Sequence, residues 1–362
     1  MPVLLDLRGA RAADIVVGTS PIAELQACLH VIAEPEHHPE ATGWLAHVGE
    51  VLDDDLRGRL MWLAPMWARR RSRFLLPLRA PLNRAIGDEL DAVARMDTDG
   101  FVELAADTIS GSDAGIGTEG LCESPDKKAA FVAACDSRSF SRGELIRALF
   151  ADPEAFRSQL IGTLAETVDR FFAAEWRRIR TRLRDDADDM RGKLVLPMAE
   201  FYAQLSPTAK PILDGDAVRF DKLQNLQISA ARVRCLVVPT LHGSPHLLIR
   251  ADRGLPIVIQ YPSSVLRSSA DTASISAVRE RLSVLSDPAR LDLCRHLVNE
   301  GISTSELARR TGMARSQVSR HLGKLRGAHL LTSEKNGRYV YHRLSVEQLN
   351  QLGPELLQAI IR

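Results

Sequence analysis

The stretch "MARSQVSRHLGKL", Met313 to Leu325, admits two readings. Val318, Leu322 and Leu325 recur at helical spacing, which predicts a short helix with one buried stripe. Ser316, Gln317, Ser319 and Arg320 are then left on the outer face near the helix start. That face is either plain solvated surface or a set of hydrogen-bonding groups aimed at a partner. The flanking sequence decides between them.

Upstream, Ile275, Val278, Leu282 and Leu285 form one helical stripe. Asp287-Pro288 caps the next helix, which is expected to bury Leu291, Leu293, Leu297 and Val298 and to end at Gly301. "STSELARRTG" opens with a Ser303/Glu306 capping box and stops at Gly312. Downstream, "HLLTSEKNGRYVYHRLS" reads as two strands around Asn336-Gly337, a pair suited to the positive φ of a tight hairpin turn. "VEQLNQLGPELLQAII" closes the chain as a helix that Pro354 kinks or interrupts. Helix, helix, helix-turn-helix, hairpin, helix is the order of a winged helix-turn-helix.

The charge distribution fits that order. The net charge of +1 over 362 residues hides an asymmetry: residues 274–345 carry +7, the last 17 carry −1, and everything before carries −5. A basic module on a mildly acidic body points to a polyanion partner. A major groove about 12 Å wide admits one helix, whose first turns meet the base edges. Arg315, Ser316, Gln317, Ser319 and Arg320 have the donors and acceptors to read bases. Arg309, Arg310, Lys324, Lys335 and Arg338 suit phosphates. A plain helical bundle would explain the apolar stripe but not the polar outer face, the basic wing and the +7 together.

Read from "LSDPARLDLCRHL", "SELARRTGMARSQVSRHLGKL" and "KNGRYVYHRL", the last 85 or so residues resemble the ArsR/SmtB family of bacterial transcriptional regulators. The resemblance implies a homodimeric DNA-binding repressor that leaves its operator on sensing a signal, with the first and last helices of the module forming the dimer. Many family members bind metal through two cysteines on the helix before the recognition helix. Those positions here are Ser303 and Ser305, poor ligands for thiophilic ions. Another family site uses His and carboxylates on the last helix, which here has no His. Neither metal site carries over, and no metal or cofactor is expected.

The N-terminal body resembles, through "SPIAELQACLHVI", "HHPEATGWL" and "PIVIQYPSS", an uncharacterised domain found ahead of such modules in larger bacterial regulators. Val3 to Leu7 reads as a strand. Ser20 caps a helix with Pro21 at its first position. "TGWLAHVGEVLDDDLRGRLMWLAP" resumes helix, and Ser141 with Glu144 makes a capping box. Residues 152–191 predict one central scaffold helix or two end to end. After Pro211, "DAVRFDKL", "RVRCLVVPT", "PHLLIRA" and "LPIVIQYP" read as three or four antiparallel strands. The fold class expected is mainly α, with an α+β body (residues 1–262, helices plus a small antiparallel sheet), a serine-rich linker (263–274) and a winged helix-turn-helix (275–362).

Other chemistry is weakly signalled. "SGSDAGIGTEG", Ser110 to Gly120, lacks the Lys-Ser/Thr ending of a phosphate loop and reads as a surface loop. Adjacent His37 and His38 in "EPEHHPE" read as solvated. Five scattered cysteines read as buried thiols, Cys294 among them. Trp44, Trp62, Trp67, Phe171, Phe172 and Trp176 are concentrated enough to be core, or the lining of a pocket for a small-molecule effector. No motif supports an enzyme. Nothing resembles a signal peptide or a membrane span, so a cytoplasmic protein is expected. The reading is a cytoplasmic, homodimeric regulator that binds double-stranded operator DNA, with an inverted repeat favoured. The alternatives are a winged helix that mediates protein contacts and an enzyme with its site in the N-terminal body.

Overall fold

The structure, a computed structural model, describes residues 2–38, 41–68, 70–111, 117–221, 226–263, 275–298, 301–336 and 339–361. It divides into two compact units, Met1–Ser269 and Ala270–Arg362. The expected linker, apart from Ser263, and residues 112–116 of the Gly-rich loop lie outside the described residues. The fold class is the one read from the sequence: mainly helical, with small sheets in the larger unit and a helix-turn-helix in the smaller.

The larger unit opens with β1 (Pro2–Asp6) and β2 (Ile15–Val17), followed by α1 (Pro21–Ala33). Ser20 caps α1 by accepting from the Ala23 amide. The helix is buried on nearly every side. Ile22, Leu25, Cys28 and Leu29 enter a helical core, while Ala23 packs with Leu236, Val238 and Val258 of a sheet. A helix buried on every face is one held between two layers.

The helical layer contains α2 (Thr42–Val51), α3 (Asp54–Trp62), α4 (Ile86–Ala94), α5 (Thr98–Ser110), α6 (Pro125–Asp136) and α7 (Phe140–Ala151). The stretch read as one helix from Thr42 is two. Leu52 turns extended, and Asp53 starts α3 by accepting from the Leu56 amide. The cap of α7 is Ser139, not Ser141: Ser139 is extended and accepts from the Arg142 amide, whereas Ser141 already lies inside the helix. From Pro153 the chain runs as α8 (Pro153–Thr167), a π turn (Val168–Phe172) and α9 (Ala173–Gly192), then α10 (Met198–Ala203). Trp67, Phe171 and Phe172 are core residues, with Trp44, Trp62 and Trp176 packed at its edge.

The strand arrangement departs from the sequence reading. Six more strands follow: β3 (Lys210–Ile212), β4 (Ala217–Asp221), β5 (Leu226–Ser229), β6 (Cys235–Thr240), β7 (Leu248–Arg250) and β8 (Ile257–Pro262). They do not form one antiparallel sheet. One sheet has the order β3-β4-β1-β5, with β1 antiparallel to β4 and parallel to β5. The other has the order β2-β6-β8-β7, with β2, β6 and β8 parallel and β7 antiparallel. The two N-terminal strands insert into both sheets, and local alternation carries no information about such distant pairing. Strands β6 and β8 are buried at every residue, as parallel strands covered on both faces are. Leu236, Val238 and Val258 face α1; Cys235, Val237, Ile257 and Ile259 face the α9–α10 side.

One polar cluster joins these layers. Glu24 of α1 is 1% exposed and accepts from Thr240 Oγ1 at 2.6 Å, from the Leu241 and His242 amides at 3.1 and 2.9 Å, and from His242 Nδ1 at 2.8 Å. His242 Nε2 lies 3.1 Å from Glu175 Oε1 of α9, and Trp44 covers the ring at 4.6 Å between centroids. Burial pushes the His242 pKa down, but Cys28 and the two carboxylates outweigh it and hold it well above the ordinary value. Burial likewise raises Glu24, and the bonds from His242 and Thr240 overcome it, leaving the carboxyl below its usual value. The ring thus bridges two carboxylates, an arrangement that favours its charged form. His38, read as solvated, is also buried, edge-on to His30 and His246; the side chain of His37 lies outside the described residues.

Removing the central cation leaves two buried anions. His242→Ala is expected to destabilise the larger unit by about 3–5 kcal/mol, read by urea unfolding through tryptophan fluorescence, since all four tryptophans belong to this unit. Glu89 of α4 gives a pH signature. It accepts from Ser20 Oγ and the Ile22 amide at the start of α1, and burial raises its pKa to about 7. The folded state then holds a proton that the unfolded chain has released. Stability is full below the ordinary glutamate value and is lost as pH rises through about 7. Glu89→Gln is expected to flatten that slope in urea melts run from pH 5 to 8.

Candidate nucleic-acid interface

The smaller unit contains α11 (Ile275–Leu285), α12 (Pro288–Leu297), β9 (Ile302–Ser303), α13 (Thr304–Thr311), α14 (Arg315–Gly327), β10 (Leu331–Asn336), β11 (Tyr339–Leu344) and α15 (Val346–Ile361). Asp287 caps α12, accepting from the Ala289 and Arg290 amides. Arg290 reaches back to the Ser283 and Val284 carbonyls and so caps the end of α11. Ser303 caps α13 by accepting from the Glu306 amide, so this hydroxyl is committed to backbone. Gly312 ends α13 with φ of +70°, a left-handed turn that favours glycine. Pro354 does not interrupt α15.

Leu293, Leu297, Leu307, Val318, Leu322, Leu325, Leu330 and Leu344 make the core. Leu291 and Val298, expected inside, are 49% and 43% exposed. The inner face of α12 is formed by Arg290, Leu293, Cys294 and Leu297, because Arg290 turns inward to cap α11. Strands β10 and β11 form an antiparallel wing, and β9 adds a third strand beside β11.

With Val318, Leu322 and Leu325 turned inward, Arg315, Ser316, Gln317, Ser319 and Arg320 are all exposed over the first turns of α14. Gln317 is partly engaged: its Oε1 accepts from the Ala314 amide at 3.2 Å. Its side-chain amide must leave that bond before both ends can meet a base. Lys324 and Lys335 are exposed. Arg309 and Arg310 are also exposed but are not free cations. Glu306 binds both, at 2.6 Å to Arg309 Nη2 and 2.8 Å to Arg310 Nε, and this pairing lowers its pKa to about 2. Arg338 and the Gly337 half of the expected turn lie outside the described residues.

His342 belongs to the geometry and was not read from the sequence. Its Nδ1 is 2.9 Å from Ser333 Oγ and its Nε2 3.2 Å from Thr304 Oγ1, which ties both wing strands to the first residue of α13. Burial and nearby Arg326 lower its pKa. Alternation along β11 placed His342 on the same face as buried Leu344, and that was the available signal.

The Glu306 pairing has a measurable consequence. Glu306→Gln keeps the backbone bond to Ser303 but removes the charge that holds Arg309 and one bond partner of Arg310. The variant is expected to bind random duplex DNA several-fold more tightly at low salt, with a steeper salt dependence. Equal affinity and slope would show that neither arginine meets DNA.

Residues 285–334 match a helix-turn-helix domain model. The chain is 33% identical over 78 residues to the HTH-type transcriptional regulator KmtR of Mycobacterium tuberculosis, covering 22% of this chain and 60% of that one. It is 33% identical over 64 residues to the nodulation protein NolR of Rhizobium meliloti, covering 18% and 52%. The chain therefore spans little more than half the length of these curated relatives. Among solved structures, an ArsR-like transcriptional regulator from Rhodococcus matches at 28% identity and a TM-score of 0.22, over 22% of this chain and 76% of that one. NolR from Sinorhizobium fredii matches at 27% identity and a TM-score of 0.20, over 27% and 95%. Residues 1–266 match a model described as a family of unknown function (DUF5937). Since that match spans most of the chain, the protein belongs to the DUF5937 family and carries behind its family domain a helix-turn-helix similar to those of ArsR-like regulators.

Proposed function

We propose that the protein is a sequence-specific DNA-binding transcriptional regulator, a cytoplasmic homodimer of the ArsR type that acts as a repressor. The observation that carries this reading is the face of α14. Five residues able to bond bases stand exposed in two turns of a helix that follows a tight helix-turn-helix corner. Gly323 extends that face. A Cβ there would meet nothing within 4 Å, so packing inside the unit does not call for glycine, which costs about 1 kcal/mol relative to alanine in a helix. Close approach of DNA backbone would account for it.

Arg315, Ser316, Gln317, Ser319 and Arg320 read bases; Lys324, Lys335 and Arg338 hold phosphates, joined by Arg309 and Arg310 once Glu306 yields them. Dimerisation through α11 and α15 is supported by half-exposed Leu282 and Val346 on those helices. Two copies would set the recognition helices about one turn of DNA apart and favour an inverted repeat. No metal is assigned to Ser303 or Ser305, and the reading includes no catalytic role. The N-terminal domain, 1–262, is assigned the sensing of a small molecule or partner, relayed through 263–274 to the module at 275–362.

Gln317→Ala and Arg320→Ala are each expected to weaken operator binding by about 1–3 kcal/mol and to relax base preference. The assay is titration of DNA from upstream of the protein's own gene against random DNA at several salt concentrations. Wild-type affinity and preference in both variants would remove α14 from the groove.

A further inference from the structure

The larger unit carries a second basic surface, on α9. Arg177, Arg180 and Arg184 lie three and four residues apart and are all exposed, so they form one row on the outer face. Among the described residues none of the three has an acidic partner within 4 Å. The neighbouring cations are spoken for: Arg170 binds Asp53, Arg178 binds Glu175, and Arg182 donates to Ser263. The first half of α9 exposes no carboxylate beside the row, because its only acid, Glu175, is turned toward His242.

Helix stability does not explain this row. Like charges at those spacings oppose helix formation. The exposed acids of α9 begin where the row ends, at Asp185, Asp188 and Asp189; Asp188, one turn beyond Arg184, is bound to Arg191, and the helix dipole disfavours acids at this end. Protein docking explains it poorly too. Interface centres are built on large apolar and aromatic groups, and none of the exposed large hydrophobics lies on α8 or α9. The cations are all arginine, the side chain whose planar fork pairs with phosphate through two bonds. At 1.5 Å per residue the row is about 10 Å long, about three 3.4 Å steps along one strand, so its three cations fall within a span of four successive phosphates.

We infer that Arg177, Arg180 and Arg184 grip the phosphate backbone of DNA next to the operator, a sequence-independent contact made by the family domain itself. The inference rests on the regulator reading above, and one experiment separates the two. Full-length wild type, Arg177→Gln/Arg180→Gln/Arg184→Gln, the corresponding triple Lys variant and Arg320→Ala are titrated with the upstream DNA. Each is measured across salt concentrations, on a long duplex and on one trimmed to the footprint of the recognition helices. The triple Gln variant is expected to fold normally and to lose about 2–3 from the slope of log affinity against log salt per protomer. It should bind long and trimmed duplexes alike, whereas wild type prefers the long one. The triple Lys variant keeps most of the slope. An unchanged slope and an unchanged preference for long DNA in the triple Gln variant would overturn the inference, whatever Arg320→Ala does. Loss of the recognition-helix reading would show separately, as normal binding by Arg320→Ala.

Discussion

The larger unit is organised around a buried carboxylate. Glu24 lies on a helix enclosed by a helical layer on one side and a sheet on the other, where an unpaired charge would be prohibitive. It is tolerated because Thr240, Leu241 and His242 converge on it with hydroxyl, amide and ring donors. Those residues leave the C-terminal end of β6, the central parallel strand. One side chain thus fixes α1 against the sheet, and His242 extends the connection to Glu175 on α9. The π turn at Val168–Phe172 lies just before Glu175 and supplies Phe171, which packs against Trp44 over the same histidine. Buried ion pairs of this kind are sensitive to the loss of one partner, and they fix the mutual placement of the layers more than they add net stability.

The smaller unit relies on short-range devices instead. Each of its central helices begins with a cap, at Asp287, at Ser303 and, through Gln317, at Ala314. Arg290 closes the end of α11, and Gly312 supplies the corner. Several side chains suited to DNA are held by these same devices. Gln317 caps its own helix, and Glu306 holds Arg309 and Arg310. Phosphates and bases would compete with those internal bonds, so part of the interaction energy would go into exchanging partners. That competition tempers non-specific binding, because a weak site gives back less than the internal bonds provide.

The two basic surfaces proposed to meet DNA differ in chemistry. The first turns of α14 combine hydroxyl, amide and guanidinium groups, the mixture needed to tell one base from another. The row on α9 offers guanidinium groups alone, which suits a backbone that is the same at every step. A regulator with both can separate where it binds from how tightly it stays. Within the DUF5937 domain, the proposed contact would give part of the fold to DNA as well as to the sensing of a signal.

The C-terminal unit was legible in the sequence because what defines it is local. Apolar spacing at Val318, Leu322 and Leu325, the Ser303/Glu306 box, Gly312 and the strands around Asn336 act within a few residues of chain. They located the five helices and the two hairpin strands, though not β9, and turned the five base-reading candidates outward. Local reading missed side-chain choices that apolar spacing does not encode: Arg290 turned inward to the end of α11 and left Leu291 at the surface, and Glu306 captured Arg309 and Arg310 one turn on; only the tie of His342 to Thr304 came from a distant part of the chain. In the larger unit the sequence determined α1, its cap and most of the strands, but not their partners. Strands β1 and β2 pair with strands more than 200 residues further along the chain, and Glu24 meets His242 across 218 residues. Periodicity records which face of an element is buried and says nothing of what covers it. The sheet order and the buried Glu24–His242–Glu175 cluster were therefore decided only when the chain folded and distant groups met.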